Sequence, residues 1–403
     1  MAFLGLRRSI VGLLGMVVFV GLGEHMAEQF LPLYLLTLGG GFLSVGALNG
    51  MDNLLGALYA FPGGYLADRL GTKRALLVFN VLSMIGFALV ILIPSWVAVV
   101  GGAVLFLSWT AISLPATMGL VARVLPKDKR TMGVSMHSLV RRVPMAVGPL
   151  VGGALVGAFG VSTGVRAAFG VALLFALVSL VLQQILIEPD PPAGERDAPR
   201  PEARPWRALR SMPTDLRRLL VADILVRFCE QIPYAFVVVW AVGTAEAPGP
   251  VTALQFGVLR SIEMATAMLV YVPVAALADR SRKKPFVVAT FGFFTAFPLA
   301  LLVSRSFGAL ILAFILRGLK EFGEPTRKAL IMDLAPEGAK AATFGTYYLV
   351  RDLIVSAAAF GGAYLWAIRP ELNLWVASAF GLLGTVGFAL RGRDLGRADP
   401  HFP

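Results

Sequence analysis

Charge is scarce in this sequence. Only 15% of its 403 residues are Asp, Glu, Lys or Arg, against about 25% in an ordinary soluble domain. With 57% hydrophobic residues and a mean hydropathy of +0.76, that scarcity excludes a water-soluble globule. The single cysteine, Cys229, excludes an intrachain disulfide and a cysteine-based metal cluster. No His-Glu-x-x-His, no nucleophile elbow and no phosphate-cradling loop is present, so the chain reads as no enzyme and needs no cofactor.

What is present is length in the apolar runs. Runs of about 20 residues cross a hydrocarbon core of roughly 30 Å at 1.5 Å per residue. They predict twelve spanning helices, at 9–37, 43–67, 74–94, 97–123, 131–157, 165–187, 217–243, 252–278, 285–303, 306–333, 341–367 and 372–390. Arg7 and Arg8 before the first run suggest a secretory signal, but no small-residue cleavage site follows and the apolar pattern continues past Glu24 into LPLYLL. The whole is an all-α integral membrane architecture.

A net charge of +12 would suit nucleic acid, but its distribution points to lipid. Arg7, Arg8, Arg69, Lys73, Arg74, Lys127, Lys129, Arg130, the basic 196–218 segment, Arg280, Arg282, Lys283, Lys284, Lys340, Arg391 and Arg393 fall in alternate connections. The opposite connections hold Arg166, Arg305 and Arg369. The positive-inside rule therefore predicts cytoplasmic termini and a cytoplasmic central loop, in a plasma membrane of bacterial inner type. Partners expected are membrane lipids and a small-molecule substrate, with no nucleic acid and a monomeric chain.

Residues 188–216 are a Pro-, Ala- and Arg-rich linker, whose part near Trp206 could lie as an amphipathic helix on the inner leaflet. The segments beside it repeat. At one constant offset Asp68 falls on Asp279, Pro62 on Pro273 and Asp52 on Glu263; nearby, Pro115 falls on Pro325 and Pro126 on Pro336. Leu-Val-Arg recurs at 139–141 and 349–351, and Glu-Gln followed by Pro recurs at Glu28 and Glu230. Such repeats predict four parts: a six-helix bundle at 1–187, the linker at 188–216, a second bundle at 217–390 and a tail at 391–403.

Gly64-Tyr-Leu-Ala-Asp68-Arg69-Leu-Gly71-Thr72-Lys73-Arg74 resembles the loop signature of the major facilitator superfamily of transporters, with Thr72 the one departure. The second copy keeps Asp279 and Arg280 but has Ala275 and Arg282 in place of glycines. The resemblance implies two six-helix repeats around a central cavity, alternating access, and a gate in which Asp68 rests against the start of the eleventh helix. Gly64, Asp68, Arg69, Gly71, Lys73, Arg74, Asp279 and Arg280 are the gating candidates, although the basic residues would set topology in any case.

The rarest feature is charge inside the spans. A mid-membrane charge costs roughly 2.5–3.5 kcal/mol, so Arg317, Lys320, Glu321 and Glu324 facing lipid would cost about 10 kcal/mol together. Their spacing, continued by Arg327 and Lys328, places them on one face of a continuous helix. Pro325 is read as a kink in that helix, and Arg327 and Lys328 beyond it as gate or topology residues. Glu24, Glu28, Asp52, Arg141, Arg142, Asp223, Arg227, Glu230, Arg260, Glu263, Arg351 and Asp352 extend the candidate substrate and proton pathway. Arg227 to Glu230, Arg260 to Glu263 and Arg317 to Glu321 could instead be ion pairs within single helices. His25 and His137 could shuttle protons, though a lone helical His is more often a packing residue. The interiors of the third, sixth, ninth and twelfth spans hold no Asp, Glu, Lys or Arg, which predicts that they face lipid.

Gly148-Pro149-Leu-Val-Gly152-Gly153 resembles an element of the family's drug/proton antiporters and would form a close-packing helix surface. Pro144, and the lack of an arginine in the SWTAISLPATMG stretch of the fourth span, depart from that branch. The expected function is a proton-coupled secondary transporter of a small polar or charged organic solute, working as an exporter by antiport and driven by the proton gradient. Symport or uniport of an organic anion, lipid flipping, and sensing without flux are the alternatives.

Overall fold

The computed structural model describes residues 8–107, 130–187, 212–278, 282–336 and 340–393. Its helices are α1 (Arg8–Glu28), α2 (Leu31–Thr37), α3 (Gly41–Leu70), α4 (Thr72–Leu92), α5 (Trp96–Phe106), α6 (Arg130–Leu186) and α7 (Thr214–Gln231). They continue as α8 (Val237–Val242), α9 (Ala253–Ala278), α10 (Lys283–Val303), α11 (Phe307–Gly318), α12 (Glu324–Leu334), α13 (Lys340–Ile368) and α14 (Pro370–Arg391). Among the described residues no strand occurs, and a single isolated bridge joins Gly243 to Pro248.

Eight helical stretches among these residues are long and apolar enough to cross a membrane. The expected fifth and sixth spans lie together in α6, which breaks at Gly160, where φ is 76°. Of the expected fourth span only α5 is described, and the linker at 188–211 lies outside the described residues.

Proline and glycine set where the spans break. The first span stops at Glu28 and resumes at Leu31 with Pro32 in the first turn, where its missing N–H is harmless. The seventh stops at Gln231, and Pro233 opens a short 3₁₀ turn, Tyr234–Phe236, before α8. Both repeats thus break just after their Glu-Gln pair. At the second break Asn373 Nδ2 donates to Ile232 O (3.1 Å) and to Gly362 O (2.7 Å), so a side chain takes up a carbonyl beside the interruption.

The span at 306–333 corrects the expectation of one continuous charged face. α11 ends at Gly318, a 3₁₀ turn covers Leu319–Glu321, and α12 restarts at Glu324 with Pro325 in its first turn. Pro325 therefore starts a helix; it does not kink one. At the break the Gly323 N–H donates to Thr290 Oγ1 (2.6 Å), and a Cβ on Gly323 would stand 2.5 Å from Phe286 O.

By packing, the chain divides into two compact units, Met1–Ala198 with Val238–Ser261, and Pro199–Val237 with Ile262–Pro403. The first is built on α1 against α6, with α4 and α5 beside them, and Phe87, Phe106 and Phe169 meet at 5.3–5.7 Å between ring centres. The second packs Leu216, Leu219 and Val226 of α7 against Val287 and Phe291 of α10, Leu330 and Ile331 of α12, Tyr347 of α13 and Phe388 of α14. Exposed apolar side chains run along α4 (Val78, Val81, Ile85), the end of α6 (Leu174, Leu177, Val181, Ile185) and α14 (Trp375, Leu382, Leu383, Val386, Leu390). Such rows suit hydrocarbon and not water.

Candidate functional site

The second unit gathers the intramembrane charges. Its centre is a small cavity lined by Glu230 of α7, Phe293, Phe294 and Phe297 of α10, Arg317 of α11 and Lys320 of the 3₁₀ turn. Close packing brings these groups together: a Cβ on Gly318 would stand 2.6 Å from Glu263 O, so α11 lies directly on α9 and presents Arg317 to Glu263. Arg317 Nε is 3.3 Å from Glu263 Oε1, and the guanidinium sits 4.9 Å from the Phe297 ring centre and 5.6 Å from that of Tyr234. Aromatic faces and a carboxylate together make this arginine tolerable where water is scarce.

Lys320 joins two carboxylates. Its Nζ donates to Glu230 Oε1 at 2.7 Å and lies 3.5 Å from Glu263 Oε1. Glu230 in turn accepts from Arg227 Nη1 at 2.7 Å, and Arg227 lies over Phe294, 5.1 Å from its centre. The expected pairing of Arg227 with Glu230 within one helix is present, whereas Arg317 turns to Glu263 of another helix. That difference follows from the break after Gly318, which removes the regular turn that would have brought Glu321 under Arg317.

Beside this lies a second, tighter group. Arg327 is 1% exposed and its Nη1 donates to Asp223 Oδ2, while its Nη2 donates to both oxygens of Glu324 at 2.8 and 2.7 Å. Tyr347 OH donates to the same Asp223 oxygen at 2.9 Å, and Arg351 Nη1 stands 3.5 Å from it. Arg351 also donates from Nε to Asp352 Oδ1 at 2.7 Å and stacks 4.2 Å from the Tyr348 ring centre. The reading of Arg327 as a gate or topology residue is thereby corrected: α12 is short and turns Arg327 into the unit, leaving Lys328 about half exposed and 3.4 Å from Glu324.

The sequence profile of the Major Facilitator Superfamily matches residues 13–359. The chain belongs to the major facilitator superfamily. An uncharacterised MFS-type transporter of Methanocaldococcus jannaschii is 24% identical over 388 residues, covering 93% of this chain and 92% of that one. Among solved structures, the nucleoside transporter NupG overlays with a TM-score of 0.79 at 11% identity (94% of this chain, 98% of that one). A peptide transporter, POT, gives 0.71 at 17% (94% and 93%), and the human organic anion transporter MFSD10 gives 0.64 at 17% (94% and 98%). At such identities these likenesses show the fold alone; the profile, with the apolar helices, makes the chain a multi-pass membrane protein.

The superfamily's loop element is described in part. Gly71 has φ 88° and caps the start of α4, a backbone that side-chain-bearing residues seldom adopt, whereas Arg282 in the second copy has φ −66°. Gly64, Asp68 and Arg69 fall within α3, but their side chains, like Asp279 and Arg280 altogether, lie outside the described residues. Lys73 Nζ donates to Gln184 O at 2.8 Å, tying α4 to the end of α6, and Arg74 is exposed.

In the first unit Glu24 and Glu28 of α1 lie within electrostatic reach of Asp52 of α3, and Arg141 of α6 within reach of Glu24. His25 Nδ1 is 3.1 Å from Glu28 Oε2; Arg142 is half-buried and Arg260 buried. His137 has no described side chain. Gly148, Gly152 and Gly153 allow close approach: a Cβ would stand 2.8 Å from His25 Cβ at 148, 2.0 Å from Met26 O at 152 and 2.5 Å from Ala253 O at 153. Pro149 presents its carbonyl to Gly257, where a Cβ would stand 2.3 Å away. Sequence reasoning missed the Phe293, Phe294 and Phe297 wall, Tyr347, and a buried Asn80–Gln183 pair at 2.7 Å. The clustering of aromatics in FGFFTAFP was the one signal available for the wall.

Proposed function

We propose that the chain is a proton-coupled secondary transporter that moves a small polar or charged organic solute by alternating access, exporting it in exchange for protons, with both termini cytoplasmic. One observation carries this reading. Lys320 and Glu230 both line the cavity and meet at 2.7 Å, yet each holds a second ion in reserve: Arg227 for Glu230 at 2.7 Å, and Glu263 for Lys320 at 3.5 Å. Breaking a buried pair outright leaves an uncompensated charge and is strongly unfavourable. Here the contact can open while both ions stay compensated.

Glu230 is then the group for which proton and solute compete, which is the requirement for antiport. When a solute leaves, either Lys320 or a proton takes its place on the carboxylate. The tighter group around Asp223, Arg327, Glu324 and Tyr347 serves as the frame that holds α7, α12 and α13 while this contact opens. Lys73, Arg74, Asp68 and the remaining gating candidates control access, and Glu24, Glu28, Asp52 and Arg141 line the pathway in the first unit.

The test is solute flux in proteoliposomes with and without an imposed pH gradient. Antiport predicts that a gradient, acidic on the side from which protons enter, drives solute in the opposite direction. Flux in the same direction as protons would replace antiport by symport, and gradient-independent flux would replace it by uniport.

A further inference from the structure

One helix is held by different neighbours along its length. α9 is unbroken from Ala253 to Ala278, yet its residues up to Ser261 pack within the first unit and those from Ile262 onward within the second. In the first unit it lies backbone to backbone on α6: a Cβ on Gly257 would stand 2.3 Å from Pro149 O, and one on Gly153 would stand 2.5 Å from Ala253 O. Ser261 Oγ donates to Ala146 O at 2.5 Å, and Phe256 meets Phe30 edge-on with 6.0 Å between ring centres. In the second unit the same helix lies on α11, where a Cβ on Gly318 would stand 2.6 Å from Glu263 O and Arg317 Nε is 3.3 Å from Glu263 Oε1.

A cycle that rocks one unit against the other cannot keep both attachments, because a continuous helix has no slack between residues 261 and 263. The two differ in what parting them costs. Taking α11 from α9 separates the buried Arg317 and Glu263, and separating a buried ion pair is strongly unfavourable. Taking α6 from α9 at these positions separates carbonyls from glycines, two rings from each other, and one hydrogen bond. The Ser261 hydroxyl that gives up Ala146 O keeps Gly257 O, 3.1 Å away in its own helix, so its proton stays satisfied.

We propose that the α6–α9 seam, formed by Ala146, Pro149 and Gly153 against Ala253, Gly257 and Ser261, is a lock that parts in each transport cycle while α9 stays on α11. This rests on the transport reading above. The seam leads to the 244–252 connection, which holds no Lys or Arg, so it locks the side of the membrane opposite the basic connections. The piece that moves is braced within itself. A bridge joins Gly243 to Pro248, and Thr252 and Gln255 cap the start of α9 reciprocally, at 2.9 and 3.2 Å. At its other end the break at Pro233 and the 3₁₀ turn Tyr234–Phe236 supply slack just before Val238, where the chain passes into the first unit. Gly152 marks the contrast: its Cβ would meet Met26 O of α1, a contact inside the first repeat that stays shut.

The test is a wedge, Gly257→Leu, read as the distance between spin labels on Ser162→Cys and Glu246→Cys. Both label positions are exposed, and Cys229→Ser, which keeps a donor for Phe294 O, removes the native thiol. The expected result is a folded protein whose main label separation is longer than without the wedge. Gly157→Leu, on the same α6 but with open space around its Cβ, should leave the separation unchanged. Gly153→Ala places a single methyl against Ala253 O and supplies the second arm, with wild-type yield and a lengthened separation expected. An unchanged separation in folded Gly257→Leu overturns the proposal. Loss of folded protein in both seam variants also overturns it, because the seam is then permanent packing of the Gly152 kind. Lengthening in a protein that moves no solute in the flux test supports the seam and overturns transport; an unchanged separation in a protein that does move solute overturns the seam alone.

Discussion

Replacing Asp223 by asparagine probes the frame around the cavity without touching the cavity itself. The carboxylate is 1% exposed and takes Arg327, Tyr347 OH at 2.9 Å and Arg351 at 3.5 Å. Arg227 Nε stands 3.9 Å from its other oxygen, so loss of the charge weakens the hold on four groups. Removing one partner of a buried ion pair costs about 3–5 kcal/mol. Arg327 retains both Glu324 oxygens and Arg351 retains Asp352, so the lower end applies, about 3 kcal/mol. For a unit of this size, roughly 2–4 °C of melting temperature goes with each kcal/mol, giving a fall of about 6–12 °C. The assay is thermal unfolding of detergent-solubilised protein, with counterflow measured well below the transition. Unchanged melting in Asp223→Asn together with abolished transport would refute the reasoning, since Asp223 would then belong to the moving charges.

Gly152→Ala should cut the yield of folded protein severely, because the new Cβ would stand 2.0 Å from Met26 O; monodisperse elution at wild-type yield would contradict that packing. Gln183→Leu leaves Asn80 buried with its 2.7 Å acceptor gone and should destabilise by about 1–3 kcal/mol, read by thermal unfolding, while Asn80→Leu with Gln183→Leu should cost less than the single change. Arg317→Met should abolish transport and leave a folded protein, because Glu263 still faces Lys320; wild-type flux would reduce Arg317 to a packing residue. Asp68→Asn should leave insertion intact and slow transport, which reconstituted flux measures directly.

Much of the fold was legible because the membrane imposes a simple rule. Backbone polar groups must be paired inside each segment, so apolar run length alone placed most spans within a few residues. Breaks within spans were harder to read. Pro32 and Pro233 mark them in both repeats, but Pro325 looks like an interior proline until Gly323 is seen against Phe286. The same break explains why helical spacing misled at the charged stretch. Arg317 and Glu321 are four apart in sequence, yet a 3₁₀ turn intervenes and Arg317 finds Glu263, far off in the chain. Arg327 shows the limit from the other side: its burial depends on the direction in which α12 leaves the break, which no local pattern encodes. That the charged candidates of the seventh and tenth spans share one unit followed from the cost of charge in lipid; which cation meets which carboxylate did not.

Whether Glu230 exchanges Lys320 for solute or proton is decided by flux through wild-type protein in proteoliposomes. Solute flux is measured with an imposed pH gradient and again after the gradient is collapsed, for wild type and Glu230→Gln. Exchange at Glu230 predicts gradient-driven flux in the wild type and no response to the gradient in the variant. A variant that responds to the gradient as the wild type does would contradict it.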